Sequence, residues 1–390
     1  MLFQALTSAA SGALPRGASI ILAVLAFSAI IVVHELGHFL AARKAGVFVE
    51  EFAIGMGPVL FSTKKKHLDG DGNELPQEKT VFSVRMFPIG GFCKMLGEDE
   101  DNSDSRAFNN KKVSARMMVI LGGVAFNLLL AFVLFVGLTS TSVFRLPEID
   151  SIVGDSGAAS AGLLSGDKII SANDSKIRSY YDLALIMQYC DGRDIDLEIL
   201  RGGQKFSVTL TPLKAEDDRY IIGFIPKLRA GFFADNKLPV EGTGEFLTIE
   251  RAGFFETVSV SLQTVAFNVR LQIVGLVRLV TAKSSMQELS GPIGITKDIS
   301  DEIVSTFEFG FSAVVRQIFG LVALLSAALG VFNLLPLPGL DGGRFVFLAI
   351  EGLRRKPISP EKEGMVHFVG LVLLIILAIF IAYSDVRKII

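Results

Sequence analysis

Two histidines and a glutamate stand together in the sequence His34-Glu35-Leu36-Gly37-His38. On an α-helix, residues four positions apart lie on the same face about one turn apart, so both imidazoles can reach one ion. The carboxylate of Glu35 lies beside them, where it can act as the base that activates water in a zinc-dependent hydrolysis. The chain has only four histidines, so this spacing around a glutamate is seldom a coincidence. The pattern predicts hydrolytic zinc chemistry.

The motif lies within an apolar stretch, at about residues 19–42, that is long enough to cross a membrane as a helix. The alternative is a buried hydrogen-bonding cluster that holds no metal. Ionisable groups near the bilayer centre cost about 2.5–3.5 kcal/mol each on insertion scales, so three of them need compensation. Zinc binding contributes about 10–16 kcal/mol in small folding modules. The comparison favours a metal site over a polar cluster alone.

The composition indicates a mixture of membrane-spanning and water-exposed parts. Of the 390 residues, 50% are hydrophobic and 20% are charged, and the mean hydropathy is +0.50. That is too apolar for an ordinary soluble protein and too charged for membrane spans alone. The net charge of −2 gives no indication of a nucleic-acid partner, and we expect none. The two cysteines, Cys93 and Cys190, form no CxxC pair, which argues against a thiolate metal site and a disulfide framework.

Four apolar stretches have the length of about 20 residues that a bilayer crossing needs. They cover about residues 19–42, 117–138, 312–335 and 366–383. The first is not a cleaved signal peptide, because Arg16 is the only basic residue before it and no small-residue cleavage site follows. A further apolar stretch at about residues 254–280 carries Arg270 and Arg278, so we expect interfacial or packed helices there.

Basic residues cluster in two of the loops between these spans. Cytoplasmic loops carry an excess of lysine and arginine, so both loops should lie in the cytoplasm, with residues 140–310 and both termini outside. The residues concerned are Arg43, Lys44, Lys64, Lys65, Lys66, Lys111, Lys112 and Arg116 in the first loop, and Arg344, Arg354, Arg355, Lys356 and Lys362 in the second.

A second polar segment at membrane depth can complete the metal site. The run NLLPLPGLDGG at residues 333–343 ends the third span, and its prolines break the helix there. Non-helical backbone at that depth is tolerated only where it is buried or lines a polar cavity. Asp341 is then the natural third ligand, and the Asn333 amide can hold a substrate carbonyl or oxyanion. The alternative for this run alone is a proline-stopped helix end followed by a glycine-rich turn.

Taken together, HELGH in the first span and NLLPLPGLDGG in a late span resemble the site-2 protease family of intramembrane zinc metalloproteases, and the bacterial RseP-type (regulator of sigma-E protease) branch most closely. The resemblance extends to EFAIGMGP at residues 51–58 and SGPIGI at residues 290–295. It implies zinc as cofactor. The matching residues are His34, His38 and Asp341 as zinc ligands, Glu35 as the catalytic glutamate and Asn333 as a substrate-binding asparagine.

Asn127 lies in the second span and resembles another substrate-contacting asparagine of the family. Helix–helix packing explains a polar residue at this position equally well. The two remaining histidines, His67 and His367, have no partner at ligand spacing, so we expect them at the surface or among lipid headgroups.

Residues 149–213 alternate strand-like runs with glycine and aspartate turns, with a helix at about residues 181–189. The run AGLLSGDKII at residues 161–170 resembles the core signature of bacterial PDZ domains, and no second copy follows, unlike in the tandem-PDZ members of the family. PDZ folds add an extended segment or a C-terminus to a sheet edge. Two roles stay open, a steric gate that excludes bulky substrates and a peptide-binding site.

Residues 79–96 predict a β-hairpin of two short strands around the turn at residues 88–91. This region resembles a membrane-reentrant β element of the family, which offers an edge to the substrate. An intact helix hides its amides, so a segment to be cleaved must first be unwound, and an edge strand can hold it extended. The alternative is an ordinary cytoplasmic hairpin.

These observations predict a polytopic α-helical membrane protein with four transmembrane helices, a membrane-associated β-hairpin and an inserted α+β PDZ domain. The expected segments are 1–43 (first span), 44–116 (cytoplasmic loop with hairpin), 117–138 (second span), 149–213 (PDZ), 214–311 (amphipathic helices outside), 312–343 (third span) and 344–390 (loop and fourth span).

The expected reaction is hydrolysis of a peptide bond in or near a transmembrane helix. The resemblance implies that the protein works in the bacterial inner (plasma) membrane, with the PDZ domain outside. It also implies single-span substrates, either anti-sigma factors or residual signal peptides, which an upstream site-1-type protease has already shortened. A non-catalytic membrane chaperone or scaffold is the main alternative. A metal-ion transporter is disfavoured, because the second and fourth spans offer almost no ionisable residues.

Overall fold

The computed structural model describes residues 16–63, 79–98, 100, 102–215, 220–239, 246–281, 311–356, 358, 363–373, 375–376 and 379. His67, the run at residues 290–295 and the end of the expected fourth span lie outside these residues. The chain divides into two compact units, one made of residues 1–131 and 272–390 and the other of residues 132–271.

The described helices are α1 (Arg16–Lys44), α2 (Val113–Ser140), α3 (Gly157–Ser160), α4 (Tyr180–Gln188), α5 (Phe254–Val280), α6 (Phe311–Asn333), α7 (Asp341–Arg354) and α8 (Glu363–Leu373). The described strands are β1 (Val49–Ser62), β2 (Val81–Met95), β3 (Val143–Ile152), β4 (Lys168–Ala172), β5 (Ser175–Lys176), β6 (Ile195–Arg201), β7 (Gln204–Leu210), β8 (Leu213–Lys214), β9 (Tyr220–Ile221), β10 (Phe224–Ala230), β11 (Lys237–Pro239) and β12 (Phe246–Thr248).

Four of the described helical stretches are long and apolar enough to cross a membrane. They are Ile21–Lys44, Val113–Ser140, Phe254–Arg278 and Ser312–Asn333. Three of them coincide with predicted spans. The fourth, within α5, is the stretch for which we expected interfacial or packed helices, whereas the expected fourth span is described only as the short helix α8.

Length alone does not decide the environment of α5. Its Arg270 forms an ion pair with Asp182 of α4, with Nη1 and Oδ1 2.7 Å apart. Phe267 stacks against Tyr181 of the same short helix, at 5.6 Å between ring centroids. The middle of α5 therefore contacts α4, whereas Ile273 and Val277 further along the helix are about half exposed.

In the first unit, α1 and α2 approach each other closely at two glycines. A Cβ added to Gly37 would lie 2.2 Å from the carbonyl oxygen of Gly122, and a Cβ on Gly122 would lie 2.6 Å from that of Gly37. Small residues at such crossings let two backbones touch. Because Gly37 is part of the HELGH motif, this contact holds the motif against α2.

The β-structure of this unit differs from the predicted hairpin. β2 is one continuous strand whose two halves flank β1, so that Phe52 pairs with Cys93 on one side and with Phe82 on the other. Gly55 and Gly57 of β1 adopt positive φ (86° and 85°), a backbone conformation that suits glycine and allows the strand to bend. The pairing partner of residues 81–95 is therefore β1, about thirty residues earlier in the chain, rather than β2 itself. The prediction of extended structure at residues 79–96 agrees with β2, but the predicted turn at residues 88–91 and the pairing of the two strands with each other are absent from β2.

In the second unit, a sheet has the strand order β10-β3-β4-β6-β7, with β5 paired to β4. Its core is aliphatic, with Ile149, Ile169, Leu183, Ile195 and Leu197 almost fully buried. Ser179 caps α4, and its side chain and that of Asp182 bond reciprocally to backbone N–H groups. We call residues 143–230 the middle domain. Helix α4 lies within one residue of the expected helix, and β10 pairs with β3 beyond residue 213, where we expected the domain to end.

Candidate metal centre

Helix α1 presents its two histidines on one buried face. The Nε2 atoms of His34 and His38 are 3.1 Å apart, and the ring centroids are 4.7 Å apart with the planes nearly perpendicular. Both side chains are almost fully buried. The helical spacing thus brings two nitrogen lone pairs to one point, as the sequence predicts.

Asp341 reaches the same point from the first turn of α7. The chain folds back tightly after α6, since a Cβ on Gly342 would lie 2.2 Å from the carbonyl oxygen of Leu335. Asp341 Oδ2 is 3.1 Å from His34 Nε2 and 3.2 Å from His38 Nε2. The ligand atoms of His34, His38 and Asp341, the three predicted ligands, thus lie close enough together to hold one metal ion.

The geometry of these three atoms fits a zinc ion. A tetrahedral site with bonds of about 2.0–2.1 Å separates its ligand atoms by about 3.3–3.4 Å, close to the distances of 3.1, 3.1 and 3.2 Å. Asp341 Oδ2 is buried and has no well-oriented hydrogen-bond donor among the described residues. Such a buried oxygen is costly unless a cation or donor satisfies it. The acceptors converge on a position that suits a cation.

The second nitrogen of each imidazole has its own partner. His38 Nδ1 lies 2.9 Å from the carbonyl oxygen of Val119, to which it donates. His34 Nδ1 lies 3.2 Å from the amide of Asn127. Each contact fixes the orientation of a ring, and a proton on Nδ1 leaves the Nε2 lone pair for the metal.

The hydrogen-bond partners around the Asn127 amide favour exchanging its Oδ1 and Nδ2 atoms. Its Nδ2 faces His34 Nδ1, while its Oδ1 is buried with no hydrogen-bond partner among the described residues. Oxygen and nitrogen of a side-chain amide are assigned from the hydrogen-bond network. Exchanging them lets Oδ1 accept a hydrogen bond from the Nδ1–H group of His34. Asn127, which we expected to contact substrate or to pack between helices, is fully buried and faces His34.

A glycine on α2 makes room for both imidazoles. A Cβ added to Gly123 would lie 2.5 Å from His38 Nε2 and 2.5 Å from His34 Cε1. Any larger residue there would displace the rings. The close passage of α2 over the two histidines therefore depends on this glycine.

Two further predicted residues border this centre. Asn333, the last residue of α6, has its Nδ2 3.2 Å from His34 Nε2. Glu35 follows His34 on α1 and is half-buried, and no hydrogen bond to another described residue engages its carboxylate. Both side chains can therefore serve a substrate that enters here.

One residue near this centre was not predicted from the sequence. His367 of α8, expected at the surface or among headgroups, accepts a hydrogen bond through Nδ1 from the backbone N–H of Gly339, at 2.8 Å. Gly339 precedes Asp341 by two residues and has a φ of 92°. No local spacing joins residues 28 positions apart, and the only available signal was the scarcity of histidine in this chain.

Comparison with known proteins agrees with these features. The model of peptidase family M50 matches residues 22–377. A protein of Clostridium acetobutylicum that is named as a zinc metalloprotease is 36% identical over 370 residues, which cover 94% of this chain and 97% of the relative. The regulator of sigma-W protease RasP of Bacillus subtilis is 27% identical over 453 residues, covering 95% of this chain and 98% of RasP.

A solved structure also resembles part of the chain. A PDZ domain of an SdrC-like protein from Listeria monocytogenes matches 21% of this chain and 88% of its own length, at 16% identity and a TM-score of 0.20.

Family and geometry point to the same cofactor. Members of the family use zinc, and His34, His38 and Asp341 offer a donor set of two imidazoles and a carboxylate, which is typical of hydrolytic zinc sites. The helices around them are long enough to cross a membrane. The chain therefore belongs to peptidase family M50, the site-2 protease family, in its RseP-type branch, and is a zinc metalloprotease.

Proposed function

We propose that this protein hydrolyses a peptide bond within or near the transmembrane helix of single-span membrane proteins, with His34, His38 and Asp341 as its zinc ligands. The observation that carries the proposal is the triangle of ligand atoms, 3.1–3.2 Å on each side, between helices of membrane-spanning length. Three protein ligands leave one tetrahedral position for water or substrate, as in catalytic rather than structural zinc sites.

Glu35 is the proposed general base and acid. A bound zinc ion supplies Lewis-acid polarisation of the scissile carbonyl and makes water acidic near neutral pH. The Glu35 carboxylate accepts the proton of the attacking water and delivers it to the nitrogen of the departing amine. The Asn333 amide, next to His34, donates to the oxygen of the scissile carbonyl as negative charge develops there.

The proposed role of the β1–β2 sheet is to hold the substrate extended. The second half of β2 runs beside α1, where the Cβ position of Gly91 lies 3.4 Å from Val32, two residues before His34. Apolar side chains such as Met56, Phe61 and Phe87 are exposed on this sheet, which suits contact with lipid or with an apolar segment. Pairing along the edge of β2 would keep the amides of an unwound helix satisfied close to the centre.

The substrate class follows from similarity and is part of the proposal. RasP of Bacillus subtilis is named as a regulator of sigma-W, which favours an anti-sigma factor as substrate, with residual signal peptides second. The protein would act in the bacterial plasma membrane after a site-1-type protease has removed the outer part of the substrate. The middle domain would then be a PDZ domain outside the membrane, and it would either gate access or bind the new terminus.

The test is cleavage of a tagged single-span anti-sigma-type substrate, lacking its outer domain, by the purified protein in nanodiscs. Wild type should cut it, and Glu35→Gln should not, although its zinc content is unchanged. Glu198→Gln is the matched control, because Glu198 is a surface carboxylate of the middle domain, bonded to Lys205. If wild type and Glu35→Gln both bound several such segments and neither cut any, with zinc present, a membrane chaperone or scaffold would replace the protease.

A further inference from the structure

Helix α7 turns its charged face towards the protein. Arg344, Leu348 and Glu351 follow one another at helical spacing on this face. Arg344 bonds to Glu98, and Glu351 bonds to Arg116 of α2. Leu348 between them is 4% exposed. The two ion pairs, together with this leucine, attach α7 to the rest of its unit.

The opposite face of α7 is apolar and uncovered by the described residues. Val346, Ile350 and Leu353 repeat at the same spacing, and their exposed fractions are 38%, 38% and 86%. A surface helix in water shows the reverse arrangement, with its apolar stripe inside and its charges outside. Ion pairs on the inner side of a helix, opposite an exposed apolar stripe, are typical of a helix whose outer face meets hydrocarbon.

A run of cations ends the same helix. Arg354, Arg355 and Lys356 are consecutive and exposed, and no carboxylate of the described residues pairs with them. The helix has 14 residues, so these cations lie about 20 Å from its first residue. Basic residues that follow an apolar helix face are attracted to anionic lipid headgroups.

We propose that lipid covers the outer face of α7 and that anionic headgroups bind Arg354, Arg355 and Lys356. Neither feature belongs to the catalytic centre. Asp341 is nevertheless the first residue of α7. Lipid contact at one end of this helix therefore helps to fix the ligand at its other end.

The absence of tryptophan from the chain permits a direct test. Leu353→Trp introduces a single tryptophan into the full-length protein, which is then placed in phosphatidylcholine nanodiscs with or without brominated phosphatidylcholine. We expect bromine to quench this tryptophan as strongly as it quenches Leu129→Trp, at an exposed position of the span α2. Phe206→Trp, on the exposed side of β7 in the middle domain, should respond to aqueous iodide instead. Ile350→Trp serves as a second reporter if Leu353→Trp is poorly folded.

The headgroup preference is tested with a second pair of lipids. In nanodiscs with equal fractions of brominated phosphatidylglycerol or brominated phosphatidylcholine, the Leu353→Trp protein should be quenched more by the anionic lipid. Replacing Arg354, Arg355 and Lys356 by glutamine should remove this difference and leave the quenching by phosphatidylcholine unchanged.

Each other outcome overturns the proposal. Quenching of Leu353→Trp by iodide but not by brominated lipid would put the outer face of α7 in water. Protection from both quenchers would mean that protein, such as a second copy of the chain, covers it. Equal quenching by both lipids in the presence of the three cations would refute the anionic site.

Discussion

His367 binds the loop that leads to the proposed zinc ligand Asp341: its Nδ1 accepts a hydrogen bond from the backbone N–H of Gly339, at a distance of 2.8 Å. The two residues belong to segments on either side of α7, so this bond closes a loop around the helix that carries Asp341. Glycine at this position adopts a positive φ of 92°, and a hydrogen bond helps to keep the backbone in that conformation. The contact thus acts on the position of Asp341 without touching it.

Replacing His367 by leucine should weaken zinc binding, because leucine offers no acceptor for the backbone N–H of Gly339 and the loop loses this hydrogen bond. A partly exposed hydrogen bond of this kind contributes about 1 kcal/mol, or roughly fivefold in affinity. His367→Asn is the matched variant, since its Oδ1 can take the place of Nδ1 and should restore most of the loss. Zinc affinity measured by competition with a chelator checks both. Equal zinc affinity in the wild type and the leucine variant would contradict this role.

Asn127→Leu should lower zinc affinity about 10- to 100-fold, the usual effect of removing a partner of a ligating histidine. Leucine has a similar volume but cannot bond to His34 Nδ1, so the imidazole loses its preferred tautomer and orientation. Asn268→Leu is the control, because Asn268 is also a buried helical asparagine, bonded to Thr264 of its own helix. If chelator competition found no difference between the two variants, Asn127 would be a packing residue only.

The core of the candidate site could be predicted from the sequence because its signals are local. Residues four apart on a helix share a face whatever surrounds them, so HELGH predicts the contact between His34 and His38. Asp341 was identifiable because proline and glycine mark a polar break at the end of an apolar span. These inferences needed no knowledge of how the helices pack.

The remaining features depend on contacts between distant parts of the chain. The two-sided pairing of β1 with β2 has no periodic signal, since each half of β2 reads as an ordinary strand. The same is true of His367, whose partner lies 28 residues away. The same holds for α7, because only the partners of Arg344 and Glu351 show that its charged side faces the protein.

Acid should destabilise the middle domain through Asp167. The bidentate hydrogen bonds from the Arg201 guanidinium, both 2.7 Å long, lower the pKa of this carboxyl below its usual value, and the backbone N–H of Leu164 contributes in the same direction. A group with a depressed folded-state pKa stabilises the fold above its unfolded pKa of about 3.9, and this contribution is lost as the pH falls through the folded value.

Asp167→Asn should therefore destabilise the domain at neutral pH by about 1.5–3 kcal/mol and flatten its response to acid. Amide hydrogen exchange of β4 and β6 in the full-length protein, measured between neutral and acidic pH, checks both effects. A variant as stable as wild type at neutral pH, or as sensitive to acid, would show that this ion pair contributes little.

The contact between α1 and α2 predicts a sharp difference between glycines of α2. Gly122→Ala places a methyl group 2.6 Å from the carbonyl oxygen of Gly37, so the helices must separate, and overpacking of this kind costs about 1–3 kcal/mol. Gly137→Ala is the matched change, since a Cβ there meets nothing within 4 Å, and alanine favours a helix over glycine by up to about 1 kcal/mol. Thermal unfolding in detergent should show a lower midpoint temperature for Gly122→Ala and an unchanged or higher one for Gly137→Ala.

Gly122→Ala should also bind zinc more weakly, because Gly37 lies between His34 and His38 in the motif. If both variants unfolded at the same temperature, the close approach of the two helices would not be what holds the motif in place.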